Sequence, residues 1–283
     1  MGKVDLSNPA GIQVHKHPTF EDRKAHYSHL PDLNLRFAFV GTSGSGKGVA
    51  MLDLLLRHYR NKFERIYLYS KSSTIDRNWD PLKRFVEKEQ GVDQRSEKTF
   101  FDEFDAEALQ EQMDLQMQVA EYAKKQGMKQ IPQVLWIFDD LVDDERVMHN
   151  NHNLIATLAI RSRHFGGNLW VSTQKFRALA NVIRINLTAL FVWPALSNRL
   201  ERKAIIEEIS GHYGPEQIEE MLQHVSQRPH GFLFVNLKAK SPEEMFQDSL
   251  VQRIRVKSKA DIRDHGSFAA SPAASAPSTQ PRL

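Results

Sequence analysis

The fold is decided by residues 35–48, which read Leu-Arg-Phe-Ala-Phe-Val-Gly-Thr-Ser-Gly-Ser-Gly-Lys-Gly. A short apolar strand, residues 35–40, runs into a glycine-rich turn with the pattern G-x-x-x-x-G-K. Glycines let such a turn aim its backbone N–H groups at phosphate oxygens, and the lysine reaches the β- and γ-phosphates. The helix that follows adds its positive N-terminal end. This stretch predicts a P-loop that binds a nucleoside triphosphate, with these cradle residues: Gly41, Thr42, Ser43, Gly44, Ser45, Gly46, Lys47 and Gly48.

Gly48 departs from the usual pattern, because the position after the P-loop lysine normally carries a Ser or Thr whose hydroxyl binds Mg²⁺. Ser43 and Ser45 are close by, but their register does not match that position. We therefore expect nucleotide binding to be retained and Mg²⁺ to be held by water together with Asp139. The pattern alone leaves catalytic competence open.

The rest of the chain alternates strands with helices, which predicts an α/β fold with a mainly parallel sheet flanked by helices. Apolar runs predict further strands at 65–70, 133–138, 168–173, 189–193 and 231–237. Helical patterns lie at 47–59, 79–90, 103–126, 150–165, 176–184, 197–210 and 215–226.

Composition divides the chain into four predicted regions: an N-terminal arm (1–32), an ATPase core (33–240), a helical, basic extension (241–266) and a disordered tail (267–283). The 283 residues contain no cysteine, so disulfides, cysteine-ligated zinc and thiol nucleophiles are excluded. No apolar run approaches the ~20 residues of a membrane span. The formal charge of +3 permits an anionic partner without proving one.

Two carboxylates follow the strand predicted at 133–138. Ligands of parallel sheets bind at the carboxyl ends of the strands. Asp139 is placed to organise Mg²⁺, and Asp140 to orient or deprotonate the attacking water. A helix cap or turn is the alternative reading for both, since aspartate is common there.

A third group of polar residues surrounds the strand at 168–173. Gln174, directly after it, is a candidate to contact the γ-phosphate or the lytic water and to report the nucleotide state. Arg163 and Arg161, upstream, are candidates for an arginine finger that acts on a neighbouring subunit. The alternatives are an ordinary strand-to-loop residue for Gln174 and a solvated basic helix end for the arginines.

The order of these motifs resembles that of the genome-packaging ATPases of poxviruses and other large double-stranded DNA viruses, in the FtsK–HerA superfamily. The resemblance covers roughly residues 33–240 and includes a late Pro-His-Gly-Phe-Leu-Phe-Val-Asn segment at 229–236. It implies a RecA-like core, ATP and Mg²⁺ as cofactors, and a homo-oligomeric ring. The ring would move double-stranded DNA into a preformed capsid, at the assembly site in the host cytoplasm or in the virion. The resemblance also implies the roles given above to Lys47, Asp139, Asp140, Gln174 and the two arginines.

Three other functions are compatible with the same residues. A cellular or plasmid DNA translocase of the same superfamily would share all the motifs. A P-loop kinase for a nucleotide or metabolite would account for Gly48, although Val49 follows where such kinases usually have Thr. A nucleotide-binding scaffold without hydrolysis would explain the missing hydroxyl. For DNA contact, the sequence offers the basic residues Lys71, Arg77, Lys175, Arg177 and Arg184, and those at 253–259.

Overall fold

The computed structural model describes residues 20–21, 23–73, 76–141, 154–196, 198–255 and 269–272. Their strands are β1 (Arg36–Val40), β2 (Arg65–Ser70), β3 (Phe100–Phe101), β4 (Val134–Asp139), β5 (Gly167–Thr173), β6 (Ala189–Val192), β7 (Leu233–Asn236), β8 (Phe246–Asp248), β9 (Gln252–Arg255) and β10 (Ala269–Pro272). They form one sheet in the order β10-β9-β8-β7-β6-β1-β5-β4-β2-β3.

Six of these strands are parallel and make up more than half of the sheet. β1 lies between β5 and β6, and β4, β2 and β3 continue the parallel block beyond β5. β7 to β10 extend the other side by antiparallel pairing. The predicted mainly parallel α/β sheet is confirmed. Its parallel block brings the carboxyl ends of β1, β2, β4 and β5 to one edge, where ligands of such sheets bind.

Helices cover both faces of the sheet. They are α1 (Lys47–Asp53), α2 (Asp80–Lys88), α3 (Ala106–Lys125), α4 (Leu154–Arg161), α5 (Asn181–Arg184), α6 (Arg199–Ile209) and α7 (Pro215–Ser226). A π-helical turn, Leu54–His58, continues α1. Side-chain caps fix two of the starts, because Asp105 accepts a hydrogen bond from the Ala108 N–H and Asn198 accepts one from the Leu200 N–H.

Alternate residues of each central strand enter two separate cores. Phe37 and Phe39 of β1 pack in the core under α1 and α2, whereas Ala38 and Val40 face the core under α3, α4, α6 and α7. All five residues of β1 are buried, as expected for a central strand covered on both sides. The strand that leads into the P-loop is therefore held rigidly.

The described part of the predicted arm packs on the core. Leu30 and Leu33 are buried beside α1 and β1, and the Tyr59 hydroxyl donates to the Pro31 carbonyl at 2.8 Å. Residues 1–19 and 22 lie outside the described residues. The boundary at 32 remains a prediction.

The C-terminal extension differs from the helical one predicted at 241–266. After a single 3₁₀ turn, Pro242–Glu244, its described part forms β8 and β9. Asp248 is polar, so the sequence does not indicate that it lies in a buried strand. In the structure it is buried, its carboxylate is neutralised by Arg228, and the His224 Nε2 lies 3.3 Å from that carboxylate. Residues 256–266 lie outside the described residues.

Disorder was predicted for 267–283, and four of these residues instead form β10, paired antiparallel with β9. Backbone pairing along a sheet edge requires no large apolar side chains, so composition did not reveal it. The other residues of the predicted tail lie outside the described part of the chain. Within the described ranges, no helix is long and apolar enough to cross a membrane.

Candidate active site

The glycine-rich loop, residues 41–46, joins β1 to α1 and needs glycine for two different reasons. Gly46 caps α1 with a φ of 105°, a left-handed conformation that a side chain would strain. At Gly41 the reason is space, since an added Cβ would lie 2.7 Å from the Cβ of Trp193. The loop therefore keeps its backbone close to the neighbouring strand end.

Lys47 opens α1 with a buried side chain directed back into the loop. Its Nζ donates to the Gly41 carbonyl at 2.7 Å and to the Thr42 carbonyl at 2.9 Å. Burial lowers the pKa of this amine, while the carboxylates of Asp140 and Asp139 oppose that shift. The ammonium thus lies between the phosphate loop and the acidic strand end.

Gly48, the departure from the usual P-loop, has open space around it. No heavy atom lies within 4 Å of a Cβ added at this position, and its φ is not in the left-handed region. Packing around position 48 therefore leaves room for a side chain that carries a hydroxyl.

Asp139 ends β4 between two serines of neighbouring strands. It stands in register with Ser70 of β2 and Ser172 of β5, and the Ser70 hydroxyl donates to its Oδ2 at 3.1 Å. Burial raises the pKa of Asp139, and the neighbouring Ser172 and Ser70 hydroxyls oppose the rise. The Ser70 hydrogen bond holds the carboxylate at the edge of the sheet.

Asp140 is exposed and adopts a φ of 51°, which Asp tolerates better than most residues. Its backbone N–H donates to the Ser172 carbonyl at 3.1 Å. The Gln174 Nε2 donates to its Oδ2 at 3.0 Å. The structure thus brings together two residues that the sequence singled out separately.

A cavity of about 610 Å³ connects these parts. The loop from Ser43 to Gly48 lines it, together with Asp139 and Asp140. Several other lining residues were not identified from the sequence as site residues: Ser72, Asp76, Asn78, Trp79, Trp193, His230 and Phe232.

His230 is the most informative of these additions. Its Nδ1 lies 3.1 Å from the Ser45 carbonyl of the P-loop, and its own carbonyl accepts a hydrogen bond from the Trp193 Nε1 at 3.2 Å. The sequence signal is the Pro-His-Gly motif at 229–231, within the segment that carries the family resemblance.

Arg161 and Arg163 do not join this cavity. Both are exposed, and the Arg163 Nε lies 3.2 Å from the His164 Nε2. They precede the amino end of β5, whereas the P-loop follows the carboxyl end of the parallel neighbour β1. A seven-residue strand spans roughly 20 Å, so neither arginine can reach the phosphate cradle of its own chain.

The strand, loop and helix around Lys47, with Asp139 and Asp140 beside them, define a P-loop ATPase, a class that binds nucleotide. Residues 22–213 match the model of the family described as "Poxvirus A32 protein". The chain therefore belongs to the poxvirus A32 protein family. The resemblance to the genome-packaging ATPases of poxviruses, drawn from the order of the motifs, is confirmed.

Solved structures give more distant likenesses. The chain is similar to the genome packaging NTPase B204 of Sulfolobus turreted icosahedral virus 2 in complex with sulfate, with 15% identity and a TM-score of 0.48 over 75% of this chain and 94% of that one. It is also similar to ATPases 2 and 3 of EssC from Geobacillus thermodenitrificans, with 12% identity and a TM-score of 0.43 over 74% and 51% of the two chains. No curated protein matches the sequence.

Proposed function

We propose that this ATPase drives double-stranded DNA into a preformed viral capsid. The observation that carries the proposal is the joining of the P-loop with Asp139 and Asp140 in one cavity, in a chain of the poxvirus A32 family. Such a constellation suits phosphoryl transfer to water, because that reaction depends on positioning and charge stabilisation.

Two residues that line the cavity, Lys47 and Asp140, and Gln174 beside Asp140 have roles in this proposal. Lys47 balances phosphate charge. Asp140, exposed at the end of β4, orients or deprotonates the attacking water. Gln174, which donates to Asp140, senses whether the γ-phosphate is present and passes this information to the loop that follows β5.

The donors in the cavity fit Mg²⁺, which usually takes one or two carboxylates, several waters and the phosphates of its substrate. Asp139 is the carboxylate, held in place by Ser70. When bound, the ion would neutralise phosphate charge. The described residues contain no group of three or more His, Asp or Glu side chains that could hold a metal without the nucleotide, so a metal bound only by protein is not part of the proposal.

The positions of Arg163 and Arg161 support a ring of identical subunits. Because both lie at the sheet edge opposite the P-loop, an arginine finger from either would serve the nucleotide of a neighbour. The capsid or its packaging vertex is the proposed docking partner, at the virus assembly site in the host cytoplasm or in the virion.

The test is steady-state ATP hydrolysis with Mg²⁺, with and without linear duplex DNA. We expect DNA to raise the rate, and Lys47→Ala to abolish both hydrolysis and nucleotide binding. Asp140→Asn should lower the rate by about 10²-fold or more and leave nucleotide binding intact. Lys124→Ala, an exposed lysine on α3, is the matched control and should behave as wild type.

Two outcomes would contradict the proposal. Nucleotide binding without hydrolysis, with or without DNA, would favour the scaffold that Gly48 makes conceivable. Hydrolysis indifferent to DNA would argue against translocation and would direct the search to a phosphoacceptor.

A further inference from the structure

A second cavity, of about 950 Å³, lies at the sheet edge opposite the nucleotide site. It is built from the start of β1, the segment before β5, the segment after β7 and the N-terminal segment 24–34. Because parallel strands separate the two edges, this cavity is not an extension of the P-loop cavity.

The cavity carries an excess of positive charge. Its lining includes six cationic side chains, Lys24, Arg36, Arg163, Lys238, Lys240 and Arg253, against two acidic ones, Asp32 and Glu244. Both carboxylates are already engaged, Asp32 with Lys24 at 2.8 Å and Glu244 with Arg253 at 3.3 Å.

Four of the six cations have no acidic partner within 4 Å among the residues that the structure describes: Arg36, Arg163, Lys238 and Lys240. Lys238 and Lys240 are exposed, so water solvates them. Arg36 is different, because it is only 9% exposed.

Arg36 is a buried guanidinium with unused hydrogen-bonding capacity. Its Nε donates to the Asn186 carbonyl at 2.6 Å, but its Nη1 is buried and has no hydrogen-bond partner. Burial and the neighbouring charge of Arg163 both lower the pKa of Arg36. A buried cation without a counter-charge is costly, and an anion in the cavity would remove that cost.

We propose that this cavity binds a phosphate group, with Arg36 at its base and Lys238 and Lys240 around it. Guanidinium groups offer a planar pair of donors that suits phosphate oxygens, and lysines add charge without demanding geometry. The phosphate comes from one of two sources, the backbone of a DNA strand or a free phosphate ion.

The first experiment measures protection by the ion itself. Thermal unfolding of the full chain carrying Lys47→Ala is followed in sodium phosphate and in sodium chloride of equal ionic strength. The Lys47→Ala background removes the P-loop lysine from every subunit, which weakens phosphate binding at the nucleotide sites. We expect phosphate to raise Tm by a few degrees, because a ligand that binds only the folded state stabilises it.

The variants assign the effect to the cavity. Lys238→Ala with Lys240→Ala should lose most of the phosphate-dependent rise in Tm, and Arg36→Met should lose all of it. The matched control, Lys124→Ala with Lys125→Ala, removes two exposed lysines from the end of α3 and should keep the full rise. If Arg36→Met does not fold, the surface lysine pair still decides the question.

The second experiment distinguishes the sources by binding of a labelled 20-base-pair duplex at two salt concentrations. If the backbone is the source, the lysine-pair variant should bind several-fold more weakly and show a salt slope that is shallower by about 2. Unchanged DNA binding together with lost phosphate protection identifies a free ion. If neither measurement separates the lysine pair from its control, the proposal is wrong. Neither assay requires hydrolysis, so the outcome is independent of the proposed motor activity.

Discussion

At the scale of single residues, Gly48 yields the sharpest prediction. Gly48→Ser places a hydroxyl where P-loops usually carry one, in space that the structure leaves open. We expect the Mg²⁺ concentration for half-maximal hydrolysis to fall by about tenfold, which corresponds to about 1.4 kcal/mol. An Mg²⁺ titration of the steady-state rate measures this.

Gly48→Ala is the matched control for that variant. It adds the Cβ and favours the helix by up to about 1 kcal/mol, but it provides no metal ligand. Its Mg²⁺ dependence should match that of wild type. Equal shifts in the two variants would assign the effect to helix stability, and no shift with serine would mean that the ion does not contact this position.

The candidate site residues that the sequence predicts most directly lie where apolar strands end. Asp139, Asp140 and Gln174 were identifiable because a polar side chain directly after a buried strand lies at the ligand-binding edge of a parallel sheet. The hydrogen bond from Gln174 to Asp140 was not identifiable. It depends on the register of β4 against β5 and on the left-handed backbone of Asp140, which the sequence pattern does not specify.

At the scale of elements, His230 links the segment between α7 and β7 to the P-loop. We expect His230→Asn to raise the KM for ATP about fivefold, the effect of losing one hydrogen bond of about 1 kcal/mol to the Ser45 carbonyl. Asparagine is chosen because His230 has a φ of 57°, a conformation that Asn tolerates. Steady-state kinetics at varied ATP concentration measures KM and kcat together.

A melting curve is the control for His230→Asn. Tm should change little, because the histidine is exposed and its carbonyl can still accept from Trp193. A large fall in Tm with an unchanged KM would show that His230 acts in folding and has no role at the nucleotide site.

The length of the apolar run explains which strands can be predicted from the sequence. β1, β2 and β4 are runs of five or six mostly apolar residues, and β5 has an apolar centre at 169–171. The sequence locates all four to within one residue. β3 and β8 have two and three residues, too few to show a period. Their positions follow from pairing with neighbours distant in sequence, such as Phe246 opposite Val235.

At the scale of the whole molecule, a half-buried histidine, His29, and a buried one, His58, make global stability depend on pH. His29 and His58 flank Tyr27, with ring-centroid distances of 5.7 and 4.9 Å, where the N-terminal segment packs on the core. Burial is the largest cause that lowers the pKa of each below 6.5. For His58, the Asp53 carboxylate 3.2 Å away opposes this shift, and Arg57 adds to it.

Because these pKa values are lower in the folded state, the unfolded chain binds more protons once the pH falls below about 6.5. Stability is therefore fully present above that pH and is lost as pH falls towards the folded pKa values, by at most about 1.4 kcal/mol per pH unit for each group. Urea unfolding between pH 7.5 and 5 measures the loss. His58→Gln should give a shallower dependence, and a slope equal to that of wild type would refute the assignment.

Substitution of Arg163 tests whether one chain contains the complete active site. It lies at the opposite edge of the sheet from Lys47, so in the proposed ring it serves a neighbour's nucleotide. We expect Arg163→Ala to lower ATP hydrolysis by about 10³-fold, in the range for a lost arginine finger. Arg84→Ala, which changes an exposed arginine on α2, should leave the rate unchanged.

The decisive measurement mixes the Arg163→Ala protein with the Lys47→Ala protein, each inactive alone. A competent interface forms where the intact P-loop of an Arg163→Ala subunit meets the intact Arg163 of a Lys47→Ala subunit. A fraction of the wild-type rate should therefore return. A mixture as inactive as its components would place the role of Arg163 within its own subunit. A fully active Arg163→Ala would remove the residue from catalysis, and Arg161 would then be tested in the same way.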